Sequence, residues 1–533
     1  MVGIAVGVAL CAAAALVIWQ IVKAPWKLFA GGKAKTETVI PNDYVRENSF
    51  IGREPKTVTI PTYEEAAHQL PQPIWDGHED VIRCYNKAWQ IAFQNLNNPR
   101  EHSGLIAPFI DAAFNEHLFM WDSCFMLMFG KYAAKLFPFQ ETLDNFYAFQ
   151  HEDGFICREI AEENGADIFA PHNIVSTGPN VMSWCEYEHY LFHGDTARME
   201  SIFPVLLAYH QWLRKNRTRP DGGYWTNGWA SGMDNMPRLK NKSRLACYFS
   251  HGNMVWVDAC MQQLLSCNIL IEMAQMCGRT ADVADLEEER EVLKKLINEK
   301  LWDEKTRFYY DLWADGQHSD VKIAGAYWAL VADAVPEERL QGFIEHLSNT
   351  KEFNRPNRVP TLSADSKFYN PKGDYWRGSI WAPTNYMALK GLEKHGYHAL
   401  AFEIAENALK NVVEVFRKSG TLYENYAPES AQKGSIAKGD FVGWSGLFPI
   451  STLFEYVFGL KWNGRTKELV WDVFLADRFG VQNFPLGMEG TANILCPKRE
   501  NAQEKPNVQV TADMDFTLVL RWNGQEERIS IHK

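Results

Sequence analysis

Along most of the chain, apolar residues recur at three- and four-residue spacing, the pattern of helices that bury one face. The stretches run over about 78 to 96, 120 to 136, 139 to 150, 177 to 193, 196 to 215, 251 to 277, 279 to 301, 320 to 333, 336 to 349, 380 to 395, 398 to 419 and 444 to 458. After about 460 the period shortens to two. "KELVWDVFL", "NVQVTADMDFTLVLRW" and "ERISIHK" read as strands separated by turn residues. Between residues 36 and 77 neither period holds, and Pro41, Pro55, Pro61, Pro71 and Pro73 mark a tether that wraps onto the helical region.

The links between helical stretches alternate in length, two residues near 194 and 278 but a long run from 216 to 250. Long loops inside a compact domain usually carry function. An even set of helices with long loops recurring on one side predicts helical hairpins in a ring, an (α/α)6 toroid with its loops at one mouth. The expected organisation is therefore 1–35 as an anchor with a basic flank, 36–77 as the Pro-rich tether, 78–460 as the helical domain and 461–533 as a small β-module.

The first residues follow a different rule. "VGIAVGVALCAAAALVIWQIV", residues 2 to 22, is apolar except for Gln20, and at about 1.5 Å per residue it spans about 30 Å, one bilayer crossing. Lys23, Lys27, Lys33 and Lys35 follow it and no cation precedes it. That order reverses the usual signal-peptide pattern and favours a membrane anchor over a cleaved signal. The side of the membrane stays open.

Net charge is −12, with no basic run beyond the N-terminal region, so nucleic acid is not an expected partner. The ten Cys are scattered without metal-ligand spacing. No metal motif is visible and no cofactor is expected, although a structural calcium ion is left open. Tryptophan is abundant, 19 residues. Indoles fill cores, and they also offer flat faces to ligands with apolar surfaces.

Several aromatic stretches in the long loops hold polar groups that a core would not ordinarily want. "FMWDSCF" sets Asp122 after Trp121, and "GDYWRGSIWAPTNYM" interleaves Asp374, Arg377 and Asn385 with Tyr375, Trp376 and Trp381. "GWASGMDNMPR" puts Asp234 downstream of Trp229, with no cation nearby until Arg238. "GTLYENYAPES" places Glu424 between Tyr423 and Tyr426, and "GDFVGWSGLFPI" supplies Trp444. Taken singly, each also fits packing or turn chemistry. Together, rings beside polar groups suit a sugar, whose apolar faces are girdled by hydroxyls. Two acids in separate aromatic loops suit glycoside hydrolysis, where one protonates the leaving oxygen and the other activates water.

"GMDNMPR", "DYWRGSIWAPTNY", "YENYAP" and "FVGWSGL", in that order, resemble the glycoside hydrolase family 63 group, which includes processing α-glucosidase I, bacterial α-glucosidases and mannosylglycerate hydrolases. The resemblance covers roughly residues 80 to 460. It implies an (α/α)6 barrel and inverting hydrolysis of α-linked glucosides or mannosides, with Asp234 as general acid and Glu424 as general base. It also implies Trp121, Asp122, Tyr375, Trp376, Arg377 and Trp444 as walls of the sugar pocket; Trp229 and Trp381, in the same aromatic stretches, complete the expected contacts. Larger members carry an N-terminal β-sandwich for which residues 36–77 leave no room, so the chain is closer to short members acting on small glycosides. Two other readings fit the same stretches: a noncatalytic sugar-binding toroid, and a lyase or epimerase using a base such as His172 or His251.

Overall fold

All twelve periodic stretches contain helix or helical turns, and their burial separates two kinds. Glu79–Gln94, Ala284–Leu296 and His398–Ser419 bury one stripe and expose the other. Met120–Gly130 and Phe448–Val457 are buried at every position, as befits helices enclosed on all sides. The computed structural model describes residues 39–533. The apolar stretch 2–22 lies outside the described residues; among those described, no helix is long and apolar enough to cross a membrane. The protein is mainly helical, with a β region at its C-terminal end.

The enclosed helices pack in sequence. Met120–Gly130 lies on Met182–His193, which lies on Val257–Met276, followed by Trp328–Val331, Ala382–Lys394 and Trp444–Leu447; the last returns to Met120–Gly130. Amphipathic helices cover them: Ala284–Leu296 packs on Val257–Met276, and His398–Ser419 on Ala382–Lys394 and Phe448–Val457. The short link near 194 is built by Gly194, left-handed at φ 72°, and by Asp195, whose side chain accepts from Arg198 N to cap Thr196–Asn216.

Helix ends differ from the periodicity where tertiary pairing competes. The stretch from 251 becomes helix only at Val257, because Val255 exchanges both backbone hydrogen bonds with Leu312. The stretch 320–333 keeps only a 3₁₀ turn at Ala324–Tyr327 and the short helix Trp328–Val331.

Two four-stranded sheets close the chain. One runs Gln72–Trp75, Phe479–Leu486, Gly490–Cys496, Gln509–Ala512, antiparallel throughout. In the other, Phe516–Trp522 pairs antiparallel with Gln525–Ile531 and parallel with Glu468–Asp472, which Leu460–Asn463 flanks. The hairpin 479–496 escapes an alternation count because a bulge between Val481 and Phe484 breaks its register. Nor is the Pro-rich stretch without structure. Asn42 N donates to Glu152 O and Lys56 N to Ile106 O, and Gln72–Trp75 forms a sheet edge, where Pro73 is tolerated.

Candidate active site

Asp234 is held by a loop that folds on its own side chains. Asn227 Oδ1 accepts from Ala230 N at 3.0 Å, its carbonyl accepts from Ser231 N at 2.8 Å, and Ser231 Oγ donates to Gly228 O at 2.8 Å. Gly228 admits no side chain: a Cβ there would lie 2.0 Å from Cys247 O and 2.2 Å from Asp234 O. Gly232 is left-handed at φ 72° with the Trp121 ring against it. The loop's far end is anchored by Arg238, fully buried, which donates to both oxygens of Asp258 (2.7 Å each) and of Asp311 (2.9 and 2.6 Å). The cation nearest in sequence is thus committed elsewhere.

Asp234 borders a cavity of about 200 Å³, whose walls include Trp121, Asp122, Trp229, Tyr375, Trp376 and Trp444. Glu424 stands directly behind that wall. Its Oε1 accepts from Tyr375 Oη at 3.2 Å and its Oε2 from Lys438 N at 3.2 Å, while its carbonyl accepts from Trp444 Nε1 at 3.0 Å. Trp121 Nε1, Asp122 Oδ1 and Arg158 Nη2 belong to cavity residues and are buried without a hydrogen-bond partner among the described residues. Arg158 Nη2 does lie 3.4 Å from Glu159 Oε2. Such groups typically cost about 1 to 3 kcal/mol each when unpaired. A hydroxyl-rich ligand would satisfy them.

The electrostatics follow from burial. Enclosure pushes Asp234 up to about 7, the Arg158 charge pulls the other way, and the Glu424 charge adds to the rise. Burial drives Asp122 well above the ordinary carboxyl range, with Glu424 adding to it. Glu424 is raised too, mainly by burial, against the Lys438 N–H, the Tyr375 hydroxyl and the Lys438 charge. The arrangement therefore offers one carboxyl on the cavity wall that keeps its proton near neutrality, and a second, Glu424, that accepts from two donors.

Of the expected residues, Glu424, Arg377 and Trp381 are outside the cavity lining, and Glu424 reaches it only through its bonds to the lining residues Tyr375 and Trp444. Arg377 Nε donates to Asn235 O at 3.0 Å, tying two loops together. Trp381 is fully buried, stacked on the rear of Trp376 at 3.8 Å and 6°, and donates to Tyr375 O. Arg377 and Trp381 belong to the scaffold behind the wall. Arg158, Phe114 and Pro179 line the cavity although no motif in the sequence singled them out, and Phe119, at the head of "FMWDSCF", joins them. Arg158 sits 4.9 Å over the Trp229 ring and 5.0 Å over Phe169; a signal existed in "FICRE", an arginine set among apolar residues of a loop. His172 is exposed and His251 packs beside Trp225, neither of them in the lining.

Away from the cavity, His210, Cys267 and Glu289 bring possible metal-ligand atoms within 4.8 Å of one another. Three different helices supply them, so no spacing in the sequence reveals the group. His210 Nε2 already pairs with Glu289 Oε2 at 3.1 Å and Arg214 Nε lies 3.3 Å from the same oxygen, so the cluster supplies its own cation.

The profile of the family described as mannosylglycerate hydrolase MGH1-like glycoside hydrolase domain matches residues 115–445, more than half of the chain and nearly everything that builds the cavity. A mannosylglycerate hydrolase of Thermus thermophilus is 23% identical over 356 residues, covering 54% of this chain and 85% of that protein. The mannosyl-oligosaccharide glucosidase of Saccharomyces cerevisiae is 22% identical over 416 residues, 62% of this chain but 48% of the yeast enzyme. The crystal structure of a Thermus thermophilus mannosylglycerate hydrolase in complex with glucose superposes with a TM-score of 0.56 at 21% identity, over 69% of this chain and all of that one. The chain belongs to the mannosylglycerate hydrolase MGH1-like family of glycoside hydrolases, within the family 63 group that its motifs resemble.

Proposed function

We propose that this glycoside hydrolase cleaves small α-linked mannosides or glucosides with inversion, on an (α/α)6 toroid formed by residues 78–460. Asp234 is the general acid and Glu424 the general base. The observation that carries the reading is Asp234 itself: a carboxyl on the cavity wall, its proton held up to about 7 by burial and by the charge of Glu424. An acid so placed can give its proton to the glycosidic oxygen at neutral pH, while Glu424, with two donors favouring its ionised form, takes a proton from the attacking water.

The size of the site supports a small substrate. About 200 Å³ falls below the ~300 to 1,000 Å³ of ordinary ligand pockets, enough for a sugar ring and not for an extended glycan. Trp229 and Trp376 offer ring faces, and the unpaired Trp121 and Asp122 atoms offer a donor and an acceptor for hydroxyls. A noncatalytic sugar-binding protein would have no use for a protonated carboxyl opposite a base. A lyase or epimerase would need a further base at the site, whereas His172 is exposed and His251 packs beside Trp225.

The test is release of free sugar from mannosylglycerate, glucosylglycerate and simple α-glucosides and α-mannosides. Asp234→Asn and Glu424→Gln should each lose about 10² to 10⁴ in turnover while their melting curves stay cooperative. Undiminished turnover in either variant would remove that residue from its role.

A further inference from the structure

Asn235, immediately after Asp234, is fully buried and is not part of the cavity lining. Its carboxamide meets the DYWRG loop in a particular way. Oδ1 accepts from Trp376 N at 2.9 Å and Nδ2 donates to Asp374 O at 2.9 Å. Those are the peptide groups on the two sides of Tyr375. Tyr375 is left-handed at φ 59°, a conformation that costs a non-glycine residue energy unless its surroundings impose it. Asn235 imposes it from both sides. The consequence reaches Glu424, because the Tyr375 hydroxyl donates to its Oε1.

We propose that Asn235 is a positioning residue for the hydrolytic reaction: by clamping both peptides of Tyr375 it aims the tyrosine hydroxyl at Glu424, so that one residue adjoining the acid also sets the base. The inference rests on the assignment of Asp234 and Glu424 made above. No catalytic contact is assigned to Asn235 itself. The groups facing Glu424 are Tyr375 and Lys438, whose donors and charge favour its ionised form, while its own charge raises Asp234 and Asp122, which keep their protons. Losing the hydroxyl contact leaves burial less opposed, and the base then takes up its proton at higher pH.

Glu424 protonation can be followed without substrate as the carboxyl stretch in infrared difference spectra, wild type minus Glu424→Gln, from acidic to neutral pH. Tyr375→Phe and Asn235→Ala should each move the Glu424 midpoint upward by about one pH unit, and the double variant by no more than either alone. The acidic limb of kcat/KM for mannosylglycerate should move with it, roughly tenfold in rate at the foot of the limb, with the alkaline limb less affected. Asn235→Ser, which keeps one polar atom, should fall between, and it serves as the test should alanine fail to fold. If Asn235→Ala or Asn235→Ser leaves the Glu424 midpoint at its wild-type value, or if the shift persists in full on top of Tyr375→Phe, Asn235 does not act through the tyrosine and the inference is overturned. Undiminished hydrolysis by Glu424→Gln would instead overturn the assignment of the base, a separate result read from a separate variant.

Discussion

A carboxyl buried to keep its proton weakens the fold once pH demands ionisation. Asp234 titrates at about 7 in the folded chain against 3.8 when unperturbed. The folded state therefore binds the extra proton between those values, and stability falls as pH rises through that window, the full penalty being reached above about 7. Asp234→Asn cannot ionise. At about pH 8 the variant should be more stable than wild type by on the order of 3 kcal/mol, and at about pH 4 nearly equal to it. Urea melts at the two pH values measure this, and equal stabilities at pH 8 would mean that Asp234 is not held protonated. In kinetics the same group should set an alkaline limb near 7. That Asp234 has no cation from its own loop is legible in "GWASGMDNMPR", and Arg238 is taken up by Asp258 and Asp311. Arg158 is not legible there, because it arrives from a distant loop and is oriented by the Trp229 and Phe169 rings.

At the scale of the elements, the site is a wall of loops braced from behind. Trp376 and Trp381 are near neighbours in one motif and look interchangeable in sequence, yet only the first reaches the cavity. Trp381 caps the start of Ala382–Lys394, and that register turns its ring inward onto Trp376. Trp381→Ala should cost about 3 to 5 kcal/mol of stability, as large-to-small changes in a core do. Trp229→Ala, at a half-buried ring on the cavity, should weaken substrate binding by about 1 to 3 kcal/mol, judged from other stacking contacts, with little change in melting. Melting curves and KM on both variants check this pair. A raised KM with unchanged stability for Trp381→Ala would return it to the pocket. The helices themselves were readable because apolar spacing alone decides which face is buried. Their ends were less so, because pairings such as Val255 with Leu312 compete with the helix from outside the segment.

For the whole molecule, a strand that precedes the helices pairs with the β region that follows them, Gln72–Trp75 against Phe479–Leu486. Removing residues 1–38 should leave melting unchanged, whereas removing 1–77 should lower it and expose a strand edge prone to association. Equal melting of the two truncations would show that the edge strand contributes nothing. The shorter truncation also tests residues 2–22 as a membrane anchor: full-length protein should sediment with membranes and the truncated form stay in the supernatant, and sedimentation of both would sink the anchor. This sheet was half hidden in the sequence, since a bulge and a proline interrupt the alternation that betrays strands, while the helical part announced itself through its period. What unites acid, base and ring of helices is the claim of inversion, and the direct measurement is proton NMR during the first minutes of mannosylglycerate hydrolysis. On the proposed roles, water activated by Glu424 opposite the bond that Asp234 protonates delivers the β-anomer of the freed sugar, with the α-anomer growing in only by mutarotation. An α-anomer as the first product would contradict the pairing of Asp234 and Glu424 as acid and base.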